Sequence, residues 1–457
     1  MPRKDRKLLL IAMSGVRVKD RELLELGMTL PGFVERSQVI ASLPSLSLLT
    51  VAAHTPANWA ITYREVDELN LPRLSSIADE GFDLIGISAF TARILDAYAL
   101  SDQLRALDQV VVLGGLHVSV LPEEAARHAD AIVVGEAEAV WNRLIDDFES
   151  QTLKKRYRAS EARPKYHLGR SRIPRYDLLD VKKYNRLTLQ TTRGCPVDCS
   201  FCAASRLISN YKVKPIDLVR RELEAIIDIW PKPFIELADD NTFFNKKWGR
   251  HLAQLFSEYR IKWFTETDIS IADDEPLLEH LARSGCAQLL IGLESATPES
   301  LKEIDARSWK HRQYESYLKS IEKIQSYGIS VNGCFILGWD SDDTSIFEST
   351  AQFVSDSALA EVQITLLTPF PGTDLYRSLH DSGRLISERF WDKCTLFDTT
   401  FHPKRMSADE LTAGFRWLMT QIYTRQEHQK RKQKFRSCMR AARITRQSEA
   451  RQSARLA

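Results

Sequence analysis

The chain predicts two α/β domains in series: a doubly wound, Rossmann-like sheet, then a partial or full barrel of βα units, with a small C-terminal helical segment. Short apolar runs alternate with helix-period stretches along most of its 457 residues, the pattern of parallel sheets covered by helices. A basic, proline-bearing stretch of weak periodicity interrupts this alternation. Beyond it, strand and helix recur more often than a mononucleotide-binding fold needs. The length also exceeds what one ordinary core organises.

In the first block, residues 8–13, 84–88, 110–115 and 131–135 read as buried strands, and 94–107, 123–128 and 138–148 as the helices between them. A fold of this kind binds its ligand beyond the carboxyl ends of its strands. The first domain is expected over 1–150, and residues 151–185, with Pro164 and Pro174, are expected to be a linker. In the second block, 188–192, 234–238, 262–267, 289–293, 330–337 and 361–367 read as strands. The helices between them are expected at 217–229, 247–259, 275–284, 298–302 and 313–327. The barrel is expected over 186–384, an appendage with a helix at 408–421 over 385–424, and a basic tail over 425–457.

Hydrophobic residues make up 44% and charged residues 27%, a globular balance, and the net charge of +2 argues against a general nucleic-acid binder. From Arg425 onward there are eleven Lys or Arg against two Glu, so the tail carries +9 and the remainder −7. The opening MPRKDRKLLLIAM has an apolar run too short for a secretory signal and reads as a first buried strand. No stretch approaches the roughly 20 apolar residues of a membrane span. Seven cysteines, three of them crowded together, do not resemble a secreted disulfide framework, so a cytoplasmic location is expected.

The strongest chemical signal is Thr191-Thr-Arg-Gly-Cys195-Pro-Val-Asp-Cys199-Ser-Phe201-Cys202. These spacings let one loop wrap three thiolates around one metal centre, and thiolates are the usual protein ligands of iron–sulfur clusters. Three ligands leave one iron of a four-iron cluster open. A structural zinc would want a fourth ligand, and no Cys or His lies at a familiar spacing to supply it. Cys286, Cys334, Cys394 and Cys438 stand singly and read as packed thiols. No Ser-His-Asp set, HExxH motif or Walker loop competes for the chemistry.

Cys-x3-Cys-x-aromatic-Cys after a first barrel strand resembles the radical S-adenosylmethionine (SAM) superfamily. The resemblance implies a partial (β/α)6 barrel with a [4Fe–4S] cluster on Cys195, Cys199 and Cys202. It also implies S-adenosyl-L-methionine on the open iron, and an external electron donor of the flavodoxin or ferredoxin kind. Phe201 would lie by the adenine. Asp239 and Asp240, in Ile235-Glu-Leu-Ala-Asp-Asp-Asn241, would receive the methionyl ammonium, or would simply cap a turn. Glu294 and Ser295, in Gly292-Leu-Glu-Ser, resemble a motif whose carboxylate helps hold the cofactor, and Glu266 is a further candidate. Phe335-Ile-Leu-Gly338 and Thr368-Pro-Phe-Pro-Gly372 also match, although their Gly and Pro suit plain turns.

Four features of the first block carry a second resemblance. They are Pro44-Ser45 ahead of a helical run, Ser88 at a strand end, Gly114-Gly115-Leu-His117 after the next strand, and Gly135-Glu136-Ala-Glu138 after the last. Together they resemble the cobalamin-binding domain that heads one class of radical SAM enzymes. Glycines at such strand ends let backbone approach a flat macrocycle. The Asp-x-His-x-x-Gly motif that supplies a lower cobalt ligand is absent; His117 would contact the corrin or be an ordinary loop histidine.

In organisation the chain is similar to the hopanoid C-methylases. That resemblance implies C-methylation of an unactivated carbon, using one SAM as radical source and a second to methylate cobalamin. Two alternatives stand: an oxidative cyclase or rearrangement enzyme of the chlorophyll-cyclase type, and a cobalamin-binding sensor. The substrate, a small molecule or a lipid, is not legible. The basic tail would make weak contact with a membrane surface or remain a solvated, mobile terminus.

Overall fold

The computed structural model describes residues 6–13, 43–66, 71–204, 207–305 and 307–456. Its first sheet has six parallel strands: β1 (Arg6–Met13), β2 (Trp59–Val66), β3 (Leu84–Ser88), β4 (Val111–Gly114), β5 (Ala131–Val134) and β6 (Arg156–Arg158). Their order is β2-β1-β3-β4-β5-β6, so the winding reverses between β1 and β3 and opens a crevice at the carboxyl ends. The apolar run in β1 explains its central place. Leu9 and Ile11 enter one core, Leu8 and Leu10 the other, and all four are fully buried.

Two strands were not legible. Edge strand β2, WAITYREV, is mostly half-exposed and lacks a continuous apolar run. Strand β6 lies inside the expected linker and buries only Tyr157 between two arginines. Residues 123–128 are not one helix but the short helix Pro122–Ala125 and the turn Ala126–His128, preceded by an unexpected helix Leu116–Val120. The remainder of the linker is held to both domains, Arg175 N donating to Leu49 O of the first at 3.1 Å. Buried Tyr176 donates its hydroxyl to Thr188 O at 2.7 Å and to Glu222 Oε1 at 3.0 Å.

In the second domain β7 (Leu187–Leu189) leads into a two-stranded antiparallel ribbon, β8 (Thr192–Arg193) with β9 (Lys212–Val213). Then follow β10 (Phe234–Leu237), β11 (Lys262–Thr267), β12 (Cys286–Glu294), β13 (Ser330–Leu337) and β14 (Glu361–Leu366). The sheet order β14-β13-β12-β11-β10-β7 is sequential and parallel, as expected for strand number, direction and order.

The period-2 alternation of these strands divides the sheet into two unlike faces. Leu187, Ile235, Trp263, Leu289, Ile291, Val331, Phe335 and Ile364 enter the main core. The register places Thr188, Glu236, Glu266, Gln288, Asn332, Cys334 and Gln363 on the opposite face. Side-chain oxygens of Thr188, Gln288, Asn332 and Gln363 are buried there without a protein partner. Parallel sheets are usually apolar on both faces; a polar inner face suits water and a polar ligand.

Helix Ala408–Ile422 opens with a capping box between Ser407 and Glu410. The basic tail is helix Arg425–Leu456, and its first half docks instead of trailing into solvent. Arg431 is 3% exposed and donates to Ile422 O at 2.8 Å, while Lys434 donates to Ser357 O at 3.2 Å. Among the described residues no helix is long and apolar enough to cross a membrane.

Candidate active site

The three cysteines lie in a loop whose two feet are the ribbon strands β8 and β9. The far side of the loop hangs on the rest of the second domain: Ser200 N donates to Ile304 O at 3.0 Å, Leu375 N donates to Ser200 O at 3.0 Å, and Cys199 bridges Asp305. All three cysteines are half-buried and none forms a disulfide. Burial pushes the Cys199 thiol up to about 12, against the pull of the Lys310 ammonium. Protein charge alone therefore leaves it protonated, whereas iron would hold it as thiolate. The donor set, three soft thiols on one wrap, fits an iron–sulfur cluster. Among the described residues no three His, Cys, Asp or Glu side chains close around a single metal ion. Phe201 stacks edge-to-face on Trp339 with centroids 5.5 Å apart.

Asp239 is committed to the chain itself. It accepts from Thr191 N at 2.7 Å, Thr192 N at 2.9 Å, Thr242 Oγ1 at 3.2 Å and the Thr191 hydroxyl. Burial raises its carboxyl to about 6 in spite of those donors. It braces the strand end next to the cysteine loop with its acceptor positions taken, and Asp240 beside it is half-buried. Glu266 keeps solvent-exposed surface yet stands among other carboxylates. Burial, then Glu236, Asp240, Glu294 and Asp239, push its carboxyl up to about 8. Glu294 reaches Lys310 Nζ at 3.0 Å, and the Lys310 ammonium also donates to Gly292 O. Ser295 is buried and caps its own turn, accepting from Thr297 N at 3.2 Å.

In the first domain, Ser88 and Gly115 meet at the crevice. Gly115 has φ +113°, and a Cβ there would lie 3.1 Å from Ser88 Oγ. Beyond β3 the Phe90 ring is 65% exposed. Glycine backbone beside an open ring is a cradle that fits a flat macrocycle. Gly114 ends β4, and Gly135 N donates to Ser119 Oγ at 2.9 Å. Pro44 is buried, and Ser45 is the N-cap of helix Leu46–His54, its Oγ accepting from Leu48 N.

Two expected cobalamin contacts are otherwise employed. His117 is 1% exposed; its Nδ1 faces Thr91 Oγ1 at 3.3 Å, its Nε2 faces Glu124 Oε1 at 3.4 Å, and Trp391 packs on its ring. It is a core histidine. Glu136 accepts from Arg193 Nη1 at 3.0 Å, Lys212 Nζ at 2.8 Å and Ser209 Oγ at 3.3 Å, all in the second domain. Lys310, Arg193, Lys212 and Trp339 were not anticipated. Each meets its partner far along the chain, so no local spacing announced it.

Comparison with known proteins agrees with this geometry. Family models match at residues 189–354 (radical SAM superfamily), 38–145 (B12 binding domain) and 373–457 (a domain of unknown function). The chain is 32% identical to bacteriochlorophyllide d C-8(2)-methyltransferase of Chlorobaculum tepidum, over 69% of this chain and 72% of that protein. It is 27% identical to the hopanoid C-2 methylase of Rhodopseudomonas palustris, over 77% and 67% respectively. It is 24% identical to the anaerobic magnesium-protoporphyrin IX monomethyl ester cyclase of Rubrivivax gelatinosus, over 72% and 63%. Its fold is similar to that of the radical SAM methyltransferase TsrM from Kitasatospora setae, with TM-score 0.63 at 15% identity over 83% of this chain and 78% of that one.

Proposed function

The chain belongs to the cobalamin-dependent radical SAM family, and from that premise we propose that it is a C-methyltransferase acting on an unactivated carbon. The family's cofactors are a [4Fe–4S] cluster, S-adenosyl-L-methionine and cobalamin; when bound, they supply a 5′-deoxyadenosyl radical and a transferable methyl group. Cys195, Cys199 and Cys202 would hold the cluster. Asp240 and Glu294 would orient the methionyl end of SAM, Lys310 fixing the Glu294 carboxylate, and Phe201 would sit by the adenine. Ser88, Gly114, Gly115 and Gly135 would line the cobalamin crevice. Glu266 would face the reacting molecules from the polar inner face.

The observation that supports this reading is the joining of two sites in one chain: a cysteine loop in the domain whose sheet has a polar face, tied by side chains to a glycine-rimmed crevice. An unactivated carbon offers no acidic proton to a general base, so radical activation followed by methyl delivery suits it.

The test is anaerobic reconstitution under reducing conditions, with 5′-deoxyadenosine and S-adenosylhomocysteine measured together. Both products are expected, and both should vanish when the three cysteines become serine. 5′-Deoxyadenosine without S-adenosylhomocysteine would replace methyl transfer by cyclisation or rearrangement.

A further inference from the structure

The Gly-Glu-Ala-Glu segment of the first domain grips the base of the cysteine loop in the second. Arg193 donates from Nη1 to Glu136 Oε1 at 3.0 Å and from Nη2 to Glu138 Oε1 at 2.8 Å. Its remaining donors are steered by Gln190 Oε1, 3.1 Å from Nε and 2.9 Å from Nη2. Lys212, paired with Arg193 across the ribbon, puts its ammonium 2.8 Å and 2.5 Å from the two oxygens of Glu136 and 3.1 Å from Tyr166 O. Two acidic side chains of one domain thus hold two basic side chains of the other, one on each foot of the loop.

The site is shielded. Side-chain exposure is 10% for Glu136, 7% for Glu138, 13% for Arg193 and 22% for Lys212. A guanidinium whose two terminal nitrogens are held by two shielded carboxylates is geometrically specific, unlike a surface ion pair that water and salt dissolve. On its other side the same base is held to the barrel, by Asp239 accepting from Thr191 N and Thr192 N. The loop is therefore clamped between the domains at the point where its cysteines begin.

We infer that Glu136 and Glu138 are positioning residues, which register the cysteine loop against the first domain through Arg193 and Lys212 and so fix the distance between the two cofactors. The inference rests on the methyl-transfer reading above for its consequence, though the clamp itself does not. Two cofactors must act on one carbon, and a displacement on the scale of 1 Å costs about 100-fold in rate.

Glu138→Gln, Arg193→Gln, their combination, and Glu136→Gln with Glu138→Gln test this in the full chain; the Glu→Gln changes nearly preserve shape while removing charge, and Arg193→Gln removes the guanidinium itself. Without cofactors, amide exchange at residues 191–213 should accelerate about tenfold while exchange in β10–β14 is unchanged. In reconstituted protein, S-adenosylhomocysteine formed per 5′-deoxyadenosine should fall by about tenfold or more, with the Glu138→Gln, Arg193→Gln pair no worse than Arg193→Gln alone. Faster exchange with a fallen ratio supports the clamp. Unchanged exchange, or faster exchange with an unchanged ratio, overturns it. If the wild-type chain forms no S-adenosylhomocysteine, methyl transfer is what fails, and amide exchange alone decides the clamp.

Discussion

Glu294 accepts a hydrogen bond from the Lys310 ammonium at 3.0 Å while its own backbone sits at φ +70°, a conformation few residues other than glycine adopt. The β12–β13 register shifts between Gly292 and Glu294, and a Cβ on Gly292 would lie 2.2 Å from Glu294 Oε1. The Gly-Leu-Glu segment is thus a bulge that turns a carboxylate back over its own strand and onto a cation. Lys310 N in turn donates to Asp305 Oδ2 at 3.3 Å, and Asp305 bridges Cys199, so a chain of contacts links this carboxylate and this ammonium to the cysteine loop.

Removing the cation should expose how closely the pair is matched. Glu294 is 8% exposed, so Lys310→Met leaves a buried carboxylate unpaired and should cost ~3 kcal/mol in urea unfolding. Adding Glu294→Gln should restore much of the loss, whereas strictly additive losses would mean that the two groups are not coupled.

Asp239 is expected to matter to the cluster without touching a thiol. Asp239→Ala strips the acceptor from two buried backbone amides, at about 3 kcal/mol. It should also lower the iron incorporated per chain, because the start of the cysteine loop loses its brace. Normal iron content in a destabilised variant would confine Asp239 to stability.

Glu266 should make stability depend on pH in a direction opposite to that of a surface carboxylate. The folded protein holds its proton up to about 8, whereas the unfolded chain releases it near 4.5. Stability from this group is therefore fully present below the lower value and is lost as pH rises toward the higher one. Urea midpoints of the cofactor-free chain should fall between about pH 5 and about pH 8, and Glu266→Gln should flatten that slope. A slope equally steep in the variant would assign it to other groups.

His117 is expected to be a packing residue. With both ring nitrogens engaged and Trp391 over it, His117→Ala should leave the electron paramagnetic resonance of bound cob(II)alamin unchanged while lowering thermal stability. Loss of nitrogen coupling at cobalt in the variant would restore it as a ligand.

Much of the framework was open to a reader of the sequence. β1 and β3 announce themselves because a doubly covered strand must be apolar throughout, and the six strands of the second sheet follow from strand–helix alternation. β2 and β6 escaped because edge strands bury only part of one face, leaving no continuous apolar run in WAITYREV or RYR. The tail looked solvated because its charge is high, yet Arg431 and Lys434 find carbonyl oxygens on packed elements.

The sequence alone announced the cysteine motif, since three thiols spaced within one short loop are a local feature whatever surrounds them. Only the tertiary structure decided how the charged residues divide their work. Lys310 meets Glu294 across 16 positions and Arg193 meets Glu136 across 57. A long-range ion pair leaves no periodic trace, because burial and opposed charge select it only after the chain has folded. That is why the sequence offered Glu136 as a cofactor contact and gave no sign of its pairing with Arg193.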